Sequence, residues 1–243
     1  MTLAKRLQAK FQQALTLHKS NRLIEAENLY RLLVSATKDS EVYRLYGTCL
    51  FQLEKPTDAL FYLEKSLKIN SNVFEAQMLK ALCLKILNRE LEAIPLYKQL
   101  IMRAPNTTKK YECLINLGSC LYATYHLEEA EVYIQQALLL DPKRYEGNMN
   151  MGLCLKHKDP HKARQYFATA LTEKPDCYNS LANDALIALA LGKWDIGWEN
   201  YEYRWITMGS VYHGVKGPHW NGQDLTDKTI FVHFEQGLSL IHI

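Results

Sequence analysis

Four near-identical tetrapeptides, GTCL, ALCL, GSCL and GLCL, set Cys49, Cys83, Cys120 and Cys154 at intervals of 34, 37 and 34 residues. A period of this size points to a supersecondary unit that is stacked rather than to one long helix or strand. Other positions fall into the same frame. A small residue stands two before each cysteine, at Gly47, Ala81, Gly118 and Gly152. A second small residue follows about twelve later, at Ala59, Ala93, Ala130 and Ala163. Four positions beyond each of these comes a large apolar residue: Leu63, Tyr97, Ile134 and Phe167. Outward extension adds a first unit around Ala14, Ala26 and Tyr30, and a sixth around Ala185, Gly197 and Tyr201.

Each unit holds two amphipathic stretches of helical period separated by a short polar turn, such as LNRE or ATYHLEE. Small residues belong where two helices approach closely, and large ones fill the space beside them. Pro105, Pro142 and Pro175 close units three to five, because proline cannot continue the helical hydrogen-bond ladder. One unit cannot bury both apolar faces alone, so stacking is obligatory.

The pattern resembles the tetratricopeptide repeat, a helix–turn–helix of about 34 residues. The resemblance implies an all-α, right-handed superhelical solenoid of six units: 3–38, 39–71, 72–105, 108–142, 143–175 and 176–207. Lys38 and Ser71 stand where the first two units would carry the closing proline. The extra residues in IMRAPNTTKKYE, between units three and four, are expected to form a loop insertion.

The cysteines themselves carry no chemistry in this frame. No CxxC pair occurs, and first helices of successive units are at least ~8–10 Å apart, beyond the ~7 Å that a disulfide spans. They read as small, buried packing groups. A net charge of +3 without a basic run gives no reason to expect nucleic acid as a partner. No signal-peptide pattern opens the chain and no long apolar stretch follows, so a cytoplasmic chain without a membrane partner is expected. No catalytic or phosphate-binding motif occurs, so neither enzymatic activity nor a cofactor is expected of these residues. His157 and His161 have a metal-like spacing, but Pro160 between them marks an inter-helix turn.

In the tetratricopeptide family the first helices line a concave groove. Two residues before the small position stand Asn116, Asn150 and Asn183 in units four to six, with Leu45 and Leu79 in units two and three. This row resembles the asparagine ladder of the O-GlcNAc transferase repeat domain, which implies binding of extended peptide backbones. A primary amide both donates and accepts, so it can pair with a peptide bond without reading side chains. A second row, Glu41, Glu75, Glu112 and Glu146, falls in the first turn of each first helix. There a carboxylate is favourable against the helix dipole, or it gives the groove a negative edge that favours basic peptides.

The C-terminal part departs from the repeat. Trp194, Trp198, Tyr201 and Trp205 fall on one helical stripe, expected to seal the last repeat. A linker over 208–227 leads to KTIFVHFEQG, read as a β-strand over 228–237. The segments GWENYEYRW (197–205), PHWNG (218–222) and EQG (235–237) resemble the junction between bacterial tetratricopeptide repeats and a heptosyltransferase-like glycosyltransferase of the GT-B kind. That resemblance implies a catalytic domain after the strand, and a nucleotide sugar as ligand only where that domain is present. Leu238 to Ile243 match one reading frame of a common transposon-derived sequencing adapter and are expected to be an artefact at a cut gene end. The chain itself is thus read as a protein-interaction scaffold, the partner-binding part of a larger glycosyltransferase or, alternatively, a stand-alone adaptor.

Overall fold

The computed structural model describes residues 3–207 and 222–229. Among the described residues all regular structure is helical, arranged as six antiparallel pairs and a final short turn. The pairs are α1 (Leu3–Lys19) with α2 (Leu23–Ala36), α3 (Ser40–Gln52) with α4 (Pro56–Ile69), and α5 (Phe74–Ile86) with α6 (Glu90–Arg103). They continue with α7 (Thr107–Ala123) and α8 (Leu127–Leu140), α9 (Tyr145–Leu155) and α10 (Pro160–Glu173), and α11 (Tyr178–Ala190) and α12 (Trp194–Tyr201). The turn α13 (Arg204–Thr207) follows. No described helix is long and apolar enough to cross a membrane. Residues 230–243, which carry most of the expected strand and the adapter-like end, lie outside the described residues, as does the linker up to 221.

The closeness of each pair is set by side-chain size. A methyl group added to Gly47 would stand 2.8 Å from Leu63 Cγ, one added to Gly118 2.5 Å from Ile134 Cγ1, and one added to Gly152 2.6 Å from the Phe167 ring. Glycine is therefore required where the large residue of the second helix lies across the first. Unit three tolerates Ala81 opposite Tyr97, and both are fully buried. The four repeated cysteines, together with Cys113 and Cys177, are free thiols in this core.

The turn inside five of the six pairs has one geometry. Asn21, Glu54, Asn88, Tyr125 and Gly192 adopt φ between 55° and 73°, the left-handed region. The next residue's N–H returns to the carbonyl five back, as in Lys55 to Leu50 and His126 to Leu121, both 2.9 Å. This is the Schellman closure, which satisfies carbonyls that the helix end would leave bare. The fifth pair instead restarts with Asp159, which accepts from the Lys162 N–H at 3.1 Å, and Pro160 in the first helical turn.

Second helices end two residues before Pro105, Pro142 and Pro175, as steric restriction ahead of proline demands. Those of units one and two end equally early without a proline. The extra residues between units three and four do not make a loop. They lengthen α7 to 17 residues, against 13 for α3, α5 and α11, because the Asn106 side chain accepts from the Lys109 N–H at 2.8 Å and starts the helix a turn early.

Besides the packing within pairs and between consecutive helices, first helices touch first helices: α3 with α5, α5 with α7, α7 with α9, and α9 with α11. They form a continuous inner layer, and its solvent side is the candidate site.

Candidate binding groove

The asparagine row lies on this inner layer, with its three members in different states. Asn116 is half-buried, and both ends of its amide are engaged. Its Nδ2 donates to the Glu112 carbonyl at 2.9 Å, and its Oδ1 accepts from Lys85 Nζ, reaching across from α5, at 2.9 Å. Asn150 is only 9% exposed and makes no hydrogen bond among the described residues. Its amide is not among the sealed polar atoms, so it keeps a narrow opening to solvent. Asn183 is half-buried and donates to the Asn179 carbonyl at 2.8 Å, which leaves its Oδ1 free to accept.

The glutamates do not form a free negative edge. Glu41 takes a two-pronged bond from Arg44 at 2.5 and 2.7 Å, Glu112 one from Lys109 at 2.7 Å, and Glu146 one from Arg144 at 3.3 Å. The Glu41 bond, and at longer range the exposed Glu75 carboxylate, hold the Arg44 guanidinium firmly charged despite its partial burial. Glu41, Glu75 and Glu146 stand in first turns, as the helix dipole favours, but the early start of α7 leaves Glu112 in its second turn, against the expectation from the repeat.

At the far end, Tyr145, Glu146, Met149, Lys174, Cys177 and Tyr178 line a cleft of about 430 Å³ between the starts of α9 and α11. One Glu146 oxygen is buried there without a hydrogen-bond partner. Of the tryptophans expected to seal the last repeat, Trp194 and Trp198 do not. Each is 57% exposed, and α12 buries Gly197 against Leu189 instead. The expected single stripe is also broken, because α12 ends at Tyr201 and Trp205 falls in α13.

Residues that the asparagine and glutamate rows passed over occupy the position two after each repeated cysteine: Phe51, Lys85, Tyr122 and Lys156. His18 holds the equivalent place in α1, and its Nε2 meets Gln52 Oε1 of α3 at 2.6 Å. Lys85 and His18 thus each tie one first helix to the next. Among the described residues no group of three metal-ligating side chains forms. Burial also raises the thiols of Cys49, Cys120 and Cys154 to about 11, which keeps them protonated. Among the described residues the inner layer thus offers amides, apolar side chains and the lysines Lys85 and Lys156.

Two family descriptions match this chain: "Anaphase-promoting complex, cyclosome, subunit 3" over residues 19–100 and "Tetratricopeptide repeat" over residues 111–144. Anaphase-promoting complex subunit 7 of Homo sapiens is 28% identical over 186 residues, covering 74% of this chain and 32% of that protein. Protein FlbA of Caulobacter vibrioides is 28% identical over 199 residues, 79% of this chain and 33% of its own length. The chain thus spans about a third of the length of these relatives. Among solved structures, a tetratricopeptide repeat protein from Parabacteroides merdae superposes with a TM-score of 0.69 at 15% identity, covering 84% of this chain and 80% of that one. At that identity the likeness speaks to the fold.

Proposed function

We propose that this chain, whose paired helices are a tetratricopeptide repeat domain, is a protein-interaction scaffold that holds an extended peptide segment along its inner layer. The observation that carries the reading is Asn150, a nearly enclosed amide without a partner, standing between Asn116 and Asn183 on successive first helices. Its amide reaches solvent only through a narrow opening and has no protein partner among the described residues, so an incoming peptide bond would supply both its donor and its acceptor. The test is to pan the chain against random short peptides and titrate a selected peptide against the triple variant Asn116→Ala/Asn150→Ala/Asn183→Ala. At ~0.5–1.5 kcal/mol for each neutral hydrogen bond, affinity should fall roughly 10- to 100-fold while helicity is kept. Unchanged affinity would sink the reading.

In a longer protein the groove would present an acceptor or partner to a glycosyltransferase domain following residue 237. That extension rests on the likeness of residues 197–205, 218–222 and 235–237 to such a junction. The product of a longer reading frame that binds no nucleotide sugar would remove it. A stand-alone adaptor is the alternative, favoured by the similarity to a subunit of a large protein assembly.

A further inference from the structure

We infer that the groove selects an acidic residue in its peptide partner, and that Lys85 is the side chain that reads it. The inference rests on the groove reading and adds the chemistry of the occupant. Lys85 stands near the middle of the inner layer, two residues after Cys83, and spans from α5 to α7 to reach Asn116. A partly exposed side chain that bridges two first helices lies on the solvent side of their shared layer.

Its charge is unanswered. Lys85 takes part in no ion pair among the described residues, and its ammonium donates to the neutral amide oxygen of Asn116. Two ionisable groups face it. Cys120 of α7 is a buried thiol raised to about 11, so it offers no negative charge at neutral pH. Glu90 of α6 acts on it less than Cys120 does and forms no ion pair with it. Desolvation accordingly lowers the Lys85 ammonium below its ordinary value, the mark of a cation short of a counter-charge.

The acidic row does not compensate this. Glu41, Glu112 and Glu146 are already held by Arg44, Lys109 and Arg144, and Glu75 lies within the field of Arg44. The preference for basic peptides that the glutamate row raised in the sequence is therefore reversed at the centre of the groove. An ammonium carries three donors and Asn116 uses one, which leaves two for a carboxylate. The free amide of Asn150 lies one first helix further on. A helix spacing of ~8–10 Å corresponds to about three residues of extended chain. The acidic residue should then sit about three positions from the peptide bond that Asn150 holds.

The test is peptide selection on the intact chain. Random short peptides displayed on phage are panned on the wild type, on Lys85→Met, which keeps the aliphatic stem, and on Lys85→Glu, with circular dichroism confirming equal helicity. The wild type should enrich Asp or Glu at one fixed position. Lys85→Met should lose that enrichment, and Lys85→Glu should replace it with Lys or Arg. A charge-assisted hydrogen bond of this kind should make Lys85→Met weaken a selected acidic peptide roughly 10- to 100-fold. If Lys85→Glu fails to fold, the Lys85→Met arm alone decides. Peptides enriched without an acidic position, or an acidic position that survives Lys85→Met, would overturn the role of Lys85 and leave the groove standing. Failure of the wild type to retain any peptide would overturn both.

Discussion

Replacing Gly118 by alanine puts the packing logic of the solenoid to a direct test. The added methyl would lie 2.5 Å from Ile134 Cγ1 and 3.1 Å from its Cδ1. Ile134 is fully buried and β-branched, and a β-branched side chain in a helix has essentially one χ1 rotamer, so it cannot swing clear. Overpacking of this kind costs about 1–3 kcal/mol. Against it stands the helix-forming advantage of alanine over glycine, about 0.5–1 kcal/mol. The clash wins, and Gly118→Ala should destabilise by ~1–2 kcal/mol.

The sign should reverse when the obstacle is removed. Ile134→Ala alone should cost about 2–5 kcal/mol for the cavity it opens. In that background Gly118→Ala should stabilise by up to ~1 kcal/mol, because the methyl now meets space and the propensity gain remains. The coupling between the two sites is then roughly 2 kcal/mol. Urea unfolding followed by circular dichroism measures the four corners of the cycle. Native-state hydrogen exchange localises the effect to unit four, since a solenoid need not unfold in one step. An equal cost of Gly118→Ala in both backgrounds would refute the idea that Ile134 dictates the glycine.

The turns offer a second measurement: Tyr125 is 88% exposed with φ of 62°, so Tyr125→Gly should raise stability by about 1 kcal/mol, and a loss would mean that the tyrosine packs against something. Cys49, Cys83, Cys120 and Cys154 should react with a thiol reagent only as fast as the repeats open, and prompt labelling of the native chain would contradict their burial. The same burial sets an alkaline limit. With folded values of about 11 for Cys49, Cys120 and Cys154 and about 12 for Cys83 against an ordinary 9.0, folding favours the protonated thiol. That stability is whole below pH 9 and declines as pH rises toward 11 to 12, so replacing the four cysteines by alanine should flatten the decline between pH 9 and 11.

What could be read from the residues, and what could not, divides along a physical line. Contacts governed by side-chain size leave a pattern, and so Gly47 with Leu63, Gly118 with Ile134 and Gly152 with Phe167 were visible before any coordinates. Features settled by backbone hydrogen bonding leave less. Glu54 and Tyr125 take the left-handed conformation without being glycine or asparagine, because closing the helix end outweighs their strain. A strict period assigns the three surplus residues before α7 to a loop, because it counts positions and does not weigh the Asn106 side chain that caps the helix. Periodicity places Trp194 and Trp198 on one face and is silent about which way that face points, since orientation follows from Gly197 packing on Leu189. The groove divides in the same way. The asparagines share a position in the repeat and could be found by counting, whereas the significance of Lys85 lies in what surrounds it. Lys156 occupies the same place after its cysteine, so position alone marks both. Only the bond to Asn116 singles out Lys85, and that is a property of two adjacent repeats rather than of one.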